Sequence, residues 1–153
     1  MPVMELLSTN SGSKLLRERR ELVIVGSCLI AEWPDLVNSI CEETICLSAC
    51  PERDHINVIS LKLASILSRV KLEKITVLTV DGSPHCLQLH HALEEAMKVT
   101  GSGSEVRHMV IYKGKLFEIA RKSVRYARYL YKVNKLIENQ EDSSSIMEPS
   151  SEP

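Results

Sequence analysis

The chain has 153 residues, of which 44% are hydrophobic and 25% are charged, with 19 Lys and Arg against 20 Asp and Glu. This size and balance are typical of one ordinary globular domain, and they exclude a collagen-like chain and the strong positive field of a general nucleic-acid binder. Only 4% of the residues are aromatic, so we expect no base-stacking surface and a core made mainly of aliphatic side chains.

Both ends of the sequence are polar. Residues 1–20 include a stretch of Ser, Asn and Gly, which predicts a flexible N-terminal segment. Residues 139–153 are rich in Ser and acidic residues and contain no Lys or Arg, which predicts a disordered acidic tail. A single α/β domain is then expected over residues 21–138.

The sequence offers no clear export or membrane signal. No apolar run reaches the roughly 18 to 20 residues that span a bilayer. A basic cluster before residue 22 imitates the start of a signal peptide, but Glu32, Pro34 and Asp35 follow the apolar run directly, without a small-residue cleavage site. We therefore expect a cytoplasmic protein whose five cysteines are thiols or metal ligands rather than a disulfide framework.

Strand-like and helix-like segments alternate along the middle of the chain. Residues 22–27 form a β-branched run typical of a strand, and Leu36, Val37 and Ile40 then recur at helical spacing. Because the strands are apolar on both faces, we predict a three-layer α/β fold with a mostly parallel sheet of about four to five strands and helices on both faces, Rossmann-like or flavodoxin-like. Strands are predicted at 22–27, 44–49, 74–80, 106–112 and 115–119, and helices at 34–43, 51–70, 85–99 and 120–139.

Three cysteines follow the first three predicted strands. Cys28 and Cys50 come directly after the first two strands, and Cys86 follows the third after a short Gly-Ser-Pro turn. Because parallel strands end at one edge of a sheet, where open α/β folds bind ligands, we expect these side chains to converge. Each is also predicted at or within the first turn of a helix, where the helix dipole favours a thiolate. Converging thiolates repel one another unless a cation or cluster neutralises them, which predicts a metal site.

The segments around two of these cysteines carry a family resemblance. Gly26-Ser27-Cys28 and Ala49-Cys50-Pro51-Glu52-Arg53 resemble the 4Fe-4S cluster-binding segments of the small electron-transfer subunits of hydrogenases and NADH:quinone oxidoreductases, over residues 22–67. The resemblance implies an iron-sulfur protein for electron transfer or redox sensing, with a protein redox partner and a 4Fe-4S cluster held by Cys28, Cys50 and Cys86. That family's early Cys loop has no counterpart before residue 22, so Cys86 would take its place from a later strand.

The remaining ligand of such a site stays open. His85, adjacent to Cys86, is favoured as a metal ligand, and His90 and His55 are the alternatives. Cys41 and Cys46 are expected to be packing residues. No catalytic residue is assigned, because the sequence lacks a nucleophile elbow and a phosphate-binding loop.

Two other functions are compatible with the sequence. The cysteines would serve a zinc site or thiol-redox chemistry, or the protein would be a non-catalytic interaction domain that uses a basic stripe on its last helix. We do not expect nucleic acid to bind this stripe. We expect no membrane partner, and a homodimer is compatible with the sequence. His91 and His108 are expected to be surface or strand residues. The stripe consists of Arg121, Arg125, Arg128, Lys132 and Lys135.

Overall fold

Strands and helices alternate through most of the computed structural model, which describes residues 2–141. Among these residues, no helix combines the length and apolar character needed to cross a membrane. The strands are β1 (Met4–Glu5), β2 (Glu21–Gly26), β3 (Ile45–Ala49), β4 (Lys74–Val80), β5 (Glu105–Tyr112) and β6 (Lys115–Ile119). The helices are α1 (Lys14–Arg19), α2 (Ser27–Glu32), α3 (Pro34–Cys41), α4 (Ile56–Arg69), α5 (Pro84–Thr100), α6 (Arg121–Ala127) and α7 (Leu130–Glu141).

The strands form one sheet in the order β1-β3-β2-β4-β5-β6. All neighbours pair in parallel except β5 and β6, which form an antiparallel hairpin. The hairpin turn is Lys113-Gly114, and both residues have positive φ, as a two-residue turn between twisted strands requires. The predicted α/β class and mostly parallel sheet are confirmed, with six strands in place of the four to five expected.

Alternate side chains of the sheet pack against helices on its two faces. On one face, Ile24 and Val77 belong to a buried cluster with residues of α4 and α5, such as Leu63. On the other face, Val25 and Leu78 pack with residues of α2 and α3. Since successive residues of a strand point to opposite faces, the apolar residues 22–25 of β2 contribute to both layers.

The N-terminal residues differ from the prediction of a flexible segment. β1 pairs with β3, with Met4 opposite Leu47, and α1 packs at the same end of the core. Leu6 and Leu16 are almost completely buried. Two residues are too few to show the alternation of apolar and polar side chains that indicates a strand, so the sequence does not predict β1. Residues 142–153, most of the predicted acidic tail, lie outside the described residues.

Two helix boundaries also differ from the prediction. The helix expected from residue 51 begins at Ile56, because the amides of Arg53 and Asp54 both donate to the Cys50 carbonyl and close a turn first. The helix expected over 120–139 is divided into α6 and α7, with a break at residues 128–129. The basic stripe is therefore distributed over two short helices.

One aromatic contact joins distant parts of the chain. Trp33, which ends α2, lies against the hairpin turn, and its ring carbon Cζ3 is 3.3 Å from the position that a Cβ on Gly114 would occupy. A side chain larger than hydrogen at Gly114 would push into the indole and would also be strained at its φ of 75°. The turn glycine thus allows α2 and the β5–β6 hairpin to touch.

Candidate functional site

Successive strands are added on opposite sides of β2, so the strand order of the sheet reverses between β2 and β4. From β2 the chain crosses to β3 on one side, and it then returns to place β4 on the other side of β2. In open α/β sheets the crevice for a ligand forms at the carboxyl ends of the strands at such a switch point. The two loops that flank this crevice lead into α2 and α5.

Cys28 and Cys86 lie in the first turns of α2 and α5 and meet at the crevice. Their Sγ atoms are 3.9 Å apart, although the residues are 58 positions apart in sequence. Cys86 packs over Gly26, with its Sγ 3.5 Å from the position of a Cβ on that glycine. The two thiols differ in access, because Cys28 is exposed whereas Cys86 is buried.

The local structure around each thiol follows from the sequence. Cys28 is the second residue of α2, which begins directly after β2 because the short residues Gly26 and Ser27 allow a tight transition. Cys86 lies in the first turn of α5, which starts with Pro84 and is capped by Ser83, whose hydroxyl accepts from the Cys86 amide at 3.2 Å. Both side chains therefore sit on the ends of rigid elements.

The pKa of Cys28 does not agree with the prediction that this residue is a thiolate. Although Cys28 is exposed, its thiol is partly shielded from water. This partial burial, together with the nearby Cys86 thiol and its hydrogen bond, raises the pKa of Cys28 to about 11. The dipole of a helix as short as α2 does not offset these effects. Near neutral pH Cys28 is therefore mainly protonated unless a cation or another partner stabilises its charge.

The other predicted ligands lie near this edge without completing a metal site. Cys50 is half-buried at the end of β3 and precedes a turn, not a helix. His85 is exposed, and its Nδ1 lies 3.9 Å from a carboxylate oxygen of Glu52. Within residues 2–141, no group of three or more Cys, His, Asp or Glu side chains is arranged to hold a metal ion. The cluster on Cys28, Cys50 and Cys86 stays a prediction.

Comparison with known proteins identifies the fold family. The sequence matches the family described as a Rossmann-like domain over residues 14–149. This chain belongs to the Rossmann-like domain family. No curated protein and no solved structure matches it. The resemblance to the cluster-binding segments of hydrogenase and NADH:quinone oxidoreductase subunits is thus neither supported nor opposed by the match.

Two further cysteines of this Rossmann-like domain form a disulfide. Cys41 at the end of α3 is bonded to Cys46 in β3. Both are buried in the core, as expected of packing residues. The expectation that all five cysteines are thiols or metal ligands is wrong for this pair. A separation of five residues allows the pairing because the chain turns back between the helix and the strand.

A buried polar chain crosses the Rossmann-like domain beside the crevice. Thr79 Oγ1 lies 2.7 Å from His90 Nε2, and His90 Nδ1 lies 2.8 Å from His108 Nδ1. His108 Nε2 faces the carboxylate of Glu94 at 3.7 Å. Burial lowers the pKa of His90 to about 3 and also lowers the pKa of His108. The two imidazoles are therefore neutral near pH 7.

The structure reassigns several histidines. His90, considered as a metal ligand, belongs to the buried chain, and His108, expected as a surface or strand residue, is in a strand but fully buried. His55 caps α4, its Nδ1 accepting from the amide of Asn57. The sequence held a signal for His108 in its position among apolar residues of β5, which predicts burial on a two-sided sheet.

The basic stripe is largely occupied by carboxylates. Arg121 and Arg125 both donate to buried Glu94, at 2.8 Å and 3.1 Å. Burial raises the pKa of Glu94, but the hydrogen bonds and charges of these arginines outweigh it and lower the pKa overall. Arg128 pairs with Glu95. Much of the stripe therefore forms ion pairs with α5. Fewer of its charges remain available to bind a partner, which argues against the stripe as an interaction surface.

Proposed function

We propose that this protein is a thiol-disulfide redox protein whose reactive pair is Cys28 and Cys86. The observation that carries the proposal is the 3.9 Å separation of their Sγ atoms at the switch point of the sheet. Disulfide formation needs about 2 Å between the sulfurs, so only a small movement of the short helix α2 would be required. The sequence had predicted the convergence of these two thiols but favoured a metal cluster on them.

Because Cys28 is exposed and Cys86 is buried, Cys28 reacts first with the substrate disulfide and Cys86 reacts second. Exposed Cys28, as its thiolate, attacks one sulfur of a disulfide substrate, which releases one substrate thiolate that takes up a proton. Buried Cys86 loses its proton and attacks Cys28 Sγ, which breaks the mixed disulfide and releases the second substrate thiol. The substrate disulfide gains two electrons and two protons, and the protein gains the Cys28–Cys86 bond.

A second feature beside Cys28 supports a ligand in the crevice. The hydroxyl oxygen of Ser27 is buried and has no hydrogen-bond partner among residues 2–141. Buried polar atoms are nearly always paired, so a group bound next to Cys28 would satisfy this hydroxyl. Because the pKa of Cys28 is raised, attack by its thiolate near neutral pH requires that a bound partner lowers this pKa.

A metal on the same thiols is the second candidate. Two thiolates on one tetrahedral zinc, with Zn–S bonds of about 2.3 Å, stand about 3.8 Å apart, which is close to the separation of Cys28 and Cys86. The remaining ligands would have to come from outside this pair, with Cys50 and His85 as the predicted donors. The 4Fe-4S cluster is the alternative cofactor for the same positions, and a cytoplasmic location with a protein redox partner is part of either proposal.

Redox titration and peptide mapping test the proposal. The protein is purified without oxygen, assayed for iron, sulfide and zinc, and equilibrated with buffers of reduced and oxidised glutathione. Cleavage after Glu places Cys28 in peptide 22–32, away from Cys41, Cys46 and Cys50. A bridge from this peptide to the peptide that contains Cys86, titrating as a two-electron couple, supports the redox pair.

Matched variants sharpen the outcome. Cys28→Ser and Cys86→Ser should each abolish the bridge, whereas Cys50→Ser should leave it unchanged. Metal-free protein that never forms the bridge, even with excess oxidised glutathione, contradicts the proposal. Stoichiometric zinc, or iron with sulfide, lost in the first two variants, would replace it with the metal candidate.

A further inference from the structure

A cavity of about 290 Å³ lies beside the carboxyl end of β4, under the first turns of α5. Its walls are mainly apolar and include Val80, Leu87 and Val110. The polar side chains of its lining belong to Thr79, Asp81, Ser83 and His90. Thr79 is 1% exposed and His90 is 3% exposed. The cavity therefore combines an apolar body with a buried polar end, as small-molecule sites do.

The buried polar chain has one consistent direction. Glu94 is held ionised by its two arginines. His108 Nε2 lies 3.7 Å from this carboxylate, too far for a hydrogen bond, and it has no hydrogen-bond partner among residues 2–141. The negative charge attracts a proton on Nε2 and would repel a lone pair there, so we place the His108 proton on Nε2. His108 is neutral, and its Nδ1 must then accept from His90 Nδ1. Neutral His90 in turn has its lone pair on Nε2, which accepts the Thr79 hydroxyl proton.

This direction determines what the polar end offers to a ligand. The Thr79 hydroxyl donates its hydrogen bond to His90. Its oxygen therefore has only lone pairs to offer a ligand, and it acts as a hydrogen-bond acceptor. The lining includes no Lys or Arg within the described residues, and the carboxylate of Asp81 is also part of it. Asp81 would repel an anion. A cation would be attracted to Asp81, which is exposed, but it would lose its hydration at the buried end, where Thr79 and His90 are neutral.

We propose that this cavity binds a small uncharged organic molecule whose hydroxyl group donates a hydrogen bond to Thr79 Oγ1. The apolar part of the ligand packs against Val80, Leu87 and Val110. Neither Cys28 nor Cys86 lines the cavity, so this site goes beyond the proposed thiol chemistry. The two proposals can hold or fail separately.

Three aromatic probes of similar size test the chemical class. Phenol, toluene and benzoate are titrated into ¹⁵N-labelled protein at neutral pH, where phenol is uncharged. Phenol should cause saturable shifts of the Thr79, Leu87 and Val110 amides. Toluene, which lacks the donor, should bind about tenfold more weakly, the ratio that one hydrogen bond of ordinary net strength provides. Benzoate should not bind. Equal binding of phenol and toluene, or no saturable shift in this region, would overturn the proposal.

Two variants test the position. Thr79→Val keeps the size of the side chain and should remove the preference for phenol over toluene. Leu87→Trp starts from a partly exposed position and should fill the cavity and abolish both. Leu61→Trp on the exposed face of α4 is the matched control and should bind as the wild type. Phenol binding that persists in Leu87→Trp would place it elsewhere and contradict the site.

The tautomers can be read directly. Long-range ¹H–¹⁵N spectra of the imidazoles should show His90 protonated on Nδ1 and His108 protonated on Nε2. If His90 instead carries its proton on Nε2, Thr79 becomes an acceptor from His90 and presents a donor to the cavity, which overturns the assigned ligand class. This measurement needs no ligand and so does not depend on the choice of probe.

Discussion

Two nitrogens of Arg121 donate hydrogen bonds to the same oxygen of the buried Glu94 carboxylate, Nη2 at 2.8 Å and Nε at 3.2 Å. The contact joins α6 to α5, and Arg125 donates to the other oxygen of Glu94. The same carboxylate faces His108. Glu94 therefore links the C-terminal helices to the polar interior of the domain.

Replacing this carboxylate should destabilise the domain. Glu94→Gln removes the charge that both arginines and His108 face, and we expect it to lower the free energy of unfolding by about 1 to 3 kcal/mol. Glu95→Gln is the matched control, because Glu95 makes only exposed ion pairs, and it should cost less than about 0.5 kcal/mol. Urea unfolding followed by circular dichroism measures both. Equal effects of the two substitutions would show that the buried pair contributes nothing.

Acid should destabilise the domain through His90. Its pKa is lowered from 6.5 in the unfolded chain to about 3 in the folded one. Below pH 6.5 the unfolded chain takes up a proton that the folded chain cannot, so this contribution is complete above that pH and is lost as the pH falls toward 3. We expect the free energy of unfolding to fall by up to about 1.4 kcal/mol per pH unit for this group.

A substitution isolates that contribution. His90→Gln should give a shallower dependence of stability on pH between about pH 7.5 and 5. The remaining slope should reflect His91 and His108, because burial lowers the pKa of both. His85→Gln on the exposed start of the same helix should leave the slope unchanged. Parallel slopes for wild type and His90→Gln would exclude His90 as the cause.

The reactivity of Cys28 should rise steeply with pH. Because its pKa is raised to about 11, alkylation by iodoacetamide should accelerate about tenfold per pH unit between roughly pH 7 and 10. The assay is best made in reduced Cys50→Ser protein, with the modified cysteine identified by mass. Cys86→Ser should lower the pKa of Cys28 and speed its alkylation at neutral pH, although burial still keeps the pKa high. A rate independent of pH in this range would contradict the shift.

Reduction of the Cys41–Cys46 bond should weaken the fold. A loop closed over five residues restricts the unfolded chain by about 2 kcal/mol in the chain-entropy model. Wild type treated with dithiothreitol should therefore unfold at a lower urea concentration than untreated protein. Cys28→Ser should show the same difference, since it cannot form the other bridge. No difference in either protein would mean that the bond contributes nothing to stability.

The sequence predicted the meeting of Cys28 and Cys86 for a general physical reason. Both follow parallel strands, and the ends of neighbouring parallel strands share one edge. The rule gives no strand order, however. Cys50 follows β3, which lies on the other side of β2 from β4, and within residues 2–141 it does not complete a three-donor group with the pair.

Other features depended on contacts that no local pattern encodes. β1 has only two residues, and Leu6 is buried because the sheet edge covers it. The arginines of α6 read as a solvated stripe, since their partner Glu94 lies 27 positions before Arg121. The His90–His108 pair likewise joins a helix to a strand 18 residues away. Long-range polar pairs of this kind cannot be read from hydrophobic periodicity.

Trp33 is the only tryptophan of the chain, and it caps the C-terminus of α2, whose second residue is Cys28. Its indole rests on the turn glycine of the β5–β6 hairpin. Any shift of α2 that draws Cys28 toward Cys86 would slide the ring on that turn and alter its emission. If the proposed Cys28–Cys86 bridge forms, the emission of this tryptophan would report its formation in real time without a dye.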